Sequence, residues 1–304
     1  MKQTYIFLLS CLLLTACAKN EEWIDNVSKA DTVAVQLSLQ CAEISVDTRA
    51  TIPQDPLTDN PMYSLCLLHY NSEGQLIAED TRTQDLIDPQ LNYLWNVSLR
   101  NSGNNIETLC LVANMQGSYP VWPSTLAELK EICVGLPFNA NTGLIADRKM
   151  YMFGYYEGKI TANQNIRIMM GRMANSLRLA ISSANSDNQY RISKIEINKP
   201  SRETYFFPRN STDRNFSDNI VETFNSNNTI GRGGATELLF YYQTGENISP
   251  SQANRTSVII TATKNNANPK TYTVVLGADG PNTIVNRNYS LYRNNNYTFN
   301  ILLN

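Results

Sequence analysis

From Asp31 onward, apolar side chains recur at every second position of the sequence. The larger apolar residues occupy the odd-numbered positions up to Cys41, and small or polar residues occupy the even-numbered positions. The apolar series continues past Ala42 with its phase reversed, and its members are Val33, Val35, Leu37, Leu39, Cys41, Ile44 and Val46. A period of two is typical of a strand with one buried face, and the phase change predicts a β-bulge near Ala42. Such a strand requires a hydrophobic surface that covers one of its faces.

Similar patterns recur along the rest of the chain. Strands are predicted at 62–70, 75–78, 91–100, 108–113, 149–154, 155–161, 165–170, 173–184, 190–198, 237–243, 256–263, 270–276, 289–292 and 297–303. One short helix is predicted after Thr125, because Thr125 and Glu128 can form a capping box. The polar stretch 209–234 ends in several glycines and is interpreted as a surface loop. Closely spaced strands with few helices indicate an all-β chain built from sandwiches.

The first residues have the pattern of a targeting segment. Lys2 precedes an apolar run at 5–14, which is too short to span a bilayer comfortably. The run ends in Leu14-Thr15-Ala16-Cys17, which resembles a bacterial lipobox. This resemblance implies that residues 1–16 are a lipoprotein signal peptide, that Cys17 carries the lipid, and that 17–32 form a lipid-anchored linker. An ordinary cleaved signal followed by a chance cysteine is the alternative.

The net charge bears on the possible partners of the protein, and the cysteines bear on its disulfides. The net charge is −2 and no block of basic residues occurs, so nucleic acid is not expected as a partner. Four cysteines remain after the signal: Cys41, Cys66, Cys110 and Cys133. Three of them lie in apolar runs, which favours buried free thiols over disulfides, although export would permit either. Their disulfide state therefore stays open.

The sequence offers no evident catalytic or metal centre. His69 is the only histidine, and on a strand it points away from Cys66, three residues earlier. Acidic pairs such as Glu79-Asp80 are isolated and of a kind usual on solvated surfaces. We therefore expect no enzyme, no metal and no cofactor. Aromatic residues allow a second hypothesis, a glycan-binding surface lipoprotein, with Trp95, Trp122 and Tyr155 as exposed candidates.

Several stretches resemble the fimbrillins, the type V pilins and accessory subunits of Bacteroides-type bacteria. Besides the lipobox and Thr48-Arg49-Ala50, they are Leu109-Cys110-Leu111-Val112-Ala113-Asn114, Met150-Tyr151-Met152-Phe153-Gly154, Gly171-Arg172-Met173-Ala174-Asn175-Ser176-Leu177 and Tyr292-Arg293-Asn294-Asn295-Asn296-Tyr297. The resemblance implies two transthyretin-like, Greek-key β-sandwich domains in tandem, at 33–170 and 171–304, with the short helix in the first. Asn175 departs from the family, which usually has a basic residue there.

The same resemblance implies a mode of assembly. An arginine-specific protease would cut between Arg49 and Ala50, the first strand would leave, and a strand from another pilus subunit would replace it. The protein would reach the outer membrane as a surface-exposed lipoprotein and become part of an extracellular pilus after processing. Its partners would be other pilus subunits, the membrane through Cys17, and a host or bacterial surface ligand. An uncut anchor subunit, in which Arg49 is an ordinary loop residue, is the alternative.

Overall fold

The computed structural model describes residues 32–42, 45–47, 61–116, 120–145, 150–209, 220–248, 252–277 and 289–304. The described strands are, in chain order, β1 (Thr32–Cys41), β2 (Ser45–Asp47), β3 (Met62–Tyr70), β4 (Arg82–Gln90), β5 (Asn92–Arg100), β6 (Glu107–Ala113), β7 (Cys133–Gly135), β8 (Met152–Gly158), β9 (Gln164–Arg172), β10 (Ala174–Ser183), β11 (Gln189–Asn198), β12 (Glu203–Tyr205), β13 (Val221–Gly231), β14 (Glu237–Gly245), β15 (Ser257–Lys264), β16 (Lys270–Val275) and β17 (Asn295–Leu303). One short helix, α1 (Leu126–Glu131), is described. The expected all-β class is confirmed.

Seven of the described strands before Met173, all except β2 and β7, form one sheet that folds over on itself. Its order is β4-β3-β6-β8-β9-β1-β5. β8 and β9 pair only at Met152 with Arg172 and at Phe153 with Gly171, so the sheet bends there and its two halves face each other. Alternating side chains from both halves, such as Leu37 and Leu111, fill the space between them as one core.

β3 and β6 are buried on both faces, which explains their nearly continuous apolar sequences. A second cluster covers their outer face and includes Leu129 of α1 and Phe206 from beyond β11. The first sandwich therefore has a third layer, which lies outside β3 and β6.

The predicted capping box of α1 is present, because Glu128 N donates to Thr125 Oγ1 and Thr125 N donates to Glu128 Oε2, both at 3.2 Å.

The later strands form two four-stranded sheets, β14-β10-β17-β2 and β13-β11-β15-β16. Their facing side chains form a separate core that includes Leu179, Ile195, Tyr242 and Phe299. β7 pairs with β12 in a two-stranded ribbon between the earlier and later parts of the chain. Because the strand set changes between Arg172 and Ala174, we propose that the domain boundary lies near Gly171.

The phase change after Cys41 has a different origin from the expected one. β1 ends at Cys41, and β2 lies in another sheet, where it pairs with β17 in parallel. The reversal thus marks a strand that leaves one sheet for another, and the prediction of a bulge within one sheet is wrong. In β11 the apolar series Tyr190, Ile192, Ile195 and Ile197 changes phase once, and the pairing register shifts at the same place, between Ile192 and Lys194.

The other differences between the predicted and the observed strands include two polar strands, β4 and β13. The loop prediction for 209–234 is wrong over β13, whose Glu222 and Phe224 are buried while their neighbours face solvent. β4 was not expected, because it is polar and contains Pro89, which an edge strand tolerates. A single strand, β8, replaces the two expected across 149–161. At 289–292 the structure has only an isolated bridge between Leu291 and Asn247.

A glycine-dependent turn joins β13 to β14, and it generates a prediction. Gly231 has a φ of +81°, and a Cβ there would lie 2.1 Å from the Asn188 carbonyl oxygen. Gly103 also has a positive φ, +60°, but a Cβ there would meet nothing within 4 Å. Each Gly→Ala change costs about 1–2 kcal/mol for the left-handed backbone, so Gly231→Ala should cost clearly more than Gly103→Ala.

Urea denaturation of the two variants tests this expectation. Equal losses in the free energy of unfolding would mean that the turn after β13 is not packed as described.

Candidate functional site

The first strand occupies an interior position in the folded sheet. β1 pairs with β5 in antiparallel register, from Thr32 opposite Arg100 to Gln40 opposite Asn92. On its other side it pairs with β9 in parallel, from Val35 opposite Gln164 to Cys41 opposite Met170. Removal of β1 would therefore leave two rows of unpaired backbone groups facing each other across a gap.

The inner face of β1 forms part of the core. Of the seven side chains predicted to point inward, five lie in β1 and have a described burial, and four of these are buried: Val33, Val35, Leu37 and Leu39. Burial of four such side chains is worth about 6–12 kcal/mol as an upper bound. Cys41 is partly buried, and burial raises the pKa of its thiol to about 11. An empty groove would expose the apolar side chains that β1 covers, among them Trp95, Leu99 and Ile168.

The outer face of β1 carries a row of side-chain hydrogen bonds. Gln36 Nε2 donates to Asn96 Oδ1 of β5 at 3.1 Å, and Asn165 Nδ2 of β9 donates to Gln36 Oε1 at 3.1 Å. Arg167 Nη2 donates to Gln40 Oε1 at 2.5 Å. These bonds are exposed to solvent, so they contribute little to stability and mainly favour the observed register of β1 with β5 and β9.

Of the remaining residues predicted for lipidation, processing and strand exchange, only Val46 lies in the described part of the chain. Val46 lies in β2, where its backbone is opposite Asn296 of β17. Cys17, Ile44, Arg49 and Ala50 lie outside the described residues. The described segments 32–42 and 45–47 nonetheless contribute strands to two different sheets.

Asn114 fastens the start of β3, which follows the segment that contains Arg49. It has a φ of +68° and is buried. Its Oδ1 accepts from Tyr63 N at 2.7 Å, and its Nδ2 donates to the carbonyls of Pro61 at 3.0 Å and Met150 at 2.8 Å. One side chain thus satisfies three backbone groups where three segments meet. This gives a structural role to the last residue of the motif Leu109–Asn114.

Two sequence motifs that are far apart along the chain meet at the end of β9. Arg172 is buried, and its Nη2 donates to Asn296 Oδ1 at 2.9 Å. The backbone N of Arg172 donates to Asn294 Oδ1 at 3.2 Å, and Asn294 N donates to the Ala174 carbonyl at 2.9 Å. The segment before β17 is therefore bonded to the last residue of β9 and to the first residue of β10, just after the expected domain boundary.

Arg293 joins the same region to the layer that covers β3 and β6. It forms a bidentate pair with Glu246, with 2.8 Å from Nε to Oε2, and its Nη1 donates to the Phe206 carbonyl at 2.7 Å. Glu246 is fully buried and Arg293 is nearly so. Loss of one partner from a buried pair of this kind costs about 3–5 kcal/mol, because the other charge stays buried.

A buried cluster that the sequence did not reveal lies near the start of β1. His69 Nδ1 is 2.7 Å from Asp80 Oδ2, and His69 Nε2 is 2.7 Å from Glu107 Oε2. Asp80 Oδ2 also accepts from Arg100 N at 2.8 Å. The interpretations of His69 as a plain strand-end residue and of Asp80 as solvated are therefore wrong. Burial alone would raise the pKa of Asp80, but hydrogen bonds from His69 and Arg100 outweigh it and lower that pKa.

Two of the three predicted aromatic candidates are less exposed than expected. Trp95 is in the core and Trp122 packs against Phe206 with ring centroids 5.7 Å apart, so only Tyr155 of the three is exposed, at 49%. The four described cysteines form no disulfides with one another: Cys66 and Cys110 are buried, whereas Cys133 is exposed. Burial raises the pKa of Cys66 to about 12, even though a hydrogen bond with Trp122 lowers it.

The described residues contain neither a metal-binding cluster nor a membrane-spanning helix. Among the described residues, no group of His, Cys, Asp and Glu side chains is arranged to hold a metal ion. In the same part of the chain, no helix has the length and apolar character to cross a bilayer.

The strand arrangement is similar to that of several solved structures. A proposed cell adhesion protein from Parabacteroides distasonis matches with a TM-score of 0.63 and 14% identity, over 88% of each chain. The C-terminally truncated tip fimbrial protein Mfa3 from Porphyromonas gingivalis matches with a TM-score of 0.59 and 15% identity, over 90% of this chain and 95% of that one. This chain has the fold of these adhesion and fimbrial proteins.

A third structure with this fold is a proposed cell adhesion protein from Bacteroides eggerthii, with a TM-score of 0.54, 12% identity, and coverage of 81% of this chain and 80% of that chain. The resemblance predicted from the sequence is thus confirmed at the level of the fold. No protein-family model matches the sequence, and no curated protein is significantly similar to it.

The burial of β1 predicts a large asymmetry between its two faces. Leu37→Ala removes a fully buried side chain and should lower the free energy of unfolding by about 2–5 kcal/mol. Ser38→Ala, on the outer face, should change it by no more than about 0.5 kcal/mol. Urea denaturation of the uncut chain measures both, and similar effects would contradict the assigned orientation of β1.

The Asp80 cluster predicts a dependence of stability on pH. Because the folded-state pKa of Asp80 is lowered, its charge stabilises the fold above the ordinary carboxyl value of about 3.9, and this contribution is lost as pH falls through the lower value. Wild-type stability should therefore decrease between about pH 5 and 3. Asp80→Asn should be less stable at pH 7 and should depend less steeply on pH.

Thermal unfolding across this pH range measures the difference, with Asp187→Asn on the surface as the control. If Asp80→Asn keeps the wild-type slope, the stabilising charge belongs to another group.

Proposed function

We propose that the chain is a structural subunit of a cell-surface pilus, at the tip or in an accessory position, that serves adhesion. In this proposal it is exported as a lipoprotein on Cys17, is cut after Arg49, and assembles by β-strand exchange. The observation that carries the proposal is the interior position of β1, paired on both edges at the N-terminal end of the described chain. The common fold with the Porphyromonas gingivalis tip protein supports it.

Strand exchange fits the energetics of the groove. A groove without β1 exposes an apolar surface together with the free edges of β5 and β9. Such edges bind further strands, so the empty state would be short-lived in water. A strand from a second subunit with apolar residues at every second position would restore both the backbone pairs and the core.

The position of the proposed cut suits this process. Residues 32–42 and 45–47 contribute β1 and β2, and both lie before Arg49. A single cleavage would therefore free both strands from the rest of the chain. Asn114 would still fasten the start of β3 on the other side of the cut, through Pro61 and Tyr63.

Intact mass and N-terminal sequencing of the native protein, taken from the cell surface, test the processing step. The mature protein should begin at Ala50, and an Arg49→Ala variant should instead retain acylated Cys17. A wild-type protein that still begins at Cys17 would contradict processing and would favour an uncut, membrane-held subunit.

A peptide-replacement experiment tests the exchange step. Chain cut at Arg49 and freed of its first segment should form higher oligomers, and a synthetic peptide of residues 32–47 should suppress them. The same peptide with Leu37→Asp should not, because a charge would enter the core. Cut chain that stays monomeric and takes up neither peptide would contradict strand exchange.

A further inference from the structure

An open cavity of about 460 Å³ lies where β8 and β9 separate, beside the segment before β17. Its lining includes Tyr155, Arg167, Met169, Pro208 and Asn294. The volume is within the range of about 300–1,000 Å³ that is usual for small-ligand sites. The cavity lies outside the β1 groove, and none of the features described above accounts for it.

Tyr155 presents a supported aromatic face to this cavity. Its ring lies near those of Phe153 and Phe207, with centroid distances of 6.2 and 5.1 Å, and half of the residue is exposed. The two phenylalanines restrict the ring, so a ligand that stacks on it loses little side-chain entropy. A flat, fixed phenol of this kind suits the apolar C–H face of a sugar ring.

The cavity also carries an uncompensated positive charge. Arg167 is exposed and bonds to the neutral amide of Gln40, and it takes part in none of the ion pairs between described residues. Arg293, the other cation of the lining, is neutralised by Glu246. The described lining contains no Asp or Glu. A guanidinium in this setting favours a carboxylate, which it can bind through two parallel hydrogen bonds.

The backbone at the base of the cavity disfavours a peptide strand. A Cβ on Gly154 would lie 2.4 Å from the Met169 carbonyl oxygen, so β8 and β9 are in close contact there. An added strand would need space between them to pair with either edge. A ligand recognised through a ring face and a carboxylate fits the cavity better.

We propose that this cavity binds an acidic saccharide, with Tyr155 beneath a sugar ring and Arg167 on its carboxylate. The site goes beyond the proposed pilus assembly and does not depend on it, because Tyr155 of β8 and Arg167 of β9, the two residues that would bind the ligand, lie after the proposed cut. It would give the chain a recognition surface of its own.

Isothermal titration calorimetry of the full, uncut chain in detergent tests the site. The probes are trigalacturonate and sialyllactose as acidic sugars, lactose as the neutral control, and hexaglutamate as the acidic peptide. At least one acidic sugar should bind, with lactose and hexaglutamate weaker by about tenfold or more. Binding by one acidic sugar identifies its class, and binding by both makes the carboxylate the shared determinant.

Variants with matched controls locate the binding. Tyr155→Ala and Arg167→Gln should each raise the dissociation constant by about tenfold or more, since each removes a principal contact. Tyr155→Phe keeps the ring, and Arg191→Gln changes another exposed strand arginine, so both should leave it within about twofold.

Failure of both acidic sugars to bind would overturn the proposal. Binding that is insensitive to Tyr155→Ala and Arg167→Gln would overturn it as well, and equal binding of hexaglutamate would show an acidic-peptide site instead. Because the chain is uncut, none of these results bears on processing at Arg49.

Discussion

Backbone pairing of β1 with both β5 and β9 is the interaction on which the first sandwich depends. The strand comes first in the described sequence, but it lies in the interior of a sheet, with one face in the core. Its position closes the half of the sheet that faces β3 and β6. Without it, β5 would lose all the strand pairing that the described residues give it. The core between the two halves would open to water at its centre.

Buried polar side chains hold this arrangement together where irregular segments meet. Asn114, Arg172 and Arg293 each bond to backbone or side-chain groups of other segments. These groups are buried, so each unpaired donor or acceptor would cost more than an average hydrogen bond contributes. The networks therefore specify one arrangement of the two sandwiches in preference to alternatives that bury a similar apolar area.

A pattern of local periodicity was sufficient to predict most strands. The alternation in β1, the apolar runs of β3 and β6, and the capping box of α1 are all features of short-range sequence. The failures share a cause, because β4 and β13 are polar strands that owe their conformation to pairing with β3 and β11. Periodicity carries little information where the partner strand, and not a buried face, determines the structure.

The sequence by itself determined the all-β class, the inward residues of β1 and the motifs that indicate a pilus-like fold. Only the tertiary structure decided that β2 enters a second sheet, that Arg172 meets Asn294 and Asn296, and that His69 lies between Asp80 and Glu107. The physical reason is distance along the chain. A strand's period is set by neighbours two residues away, whereas a buried charge or amide is satisfied by groups that only folding brings within about 3 Å.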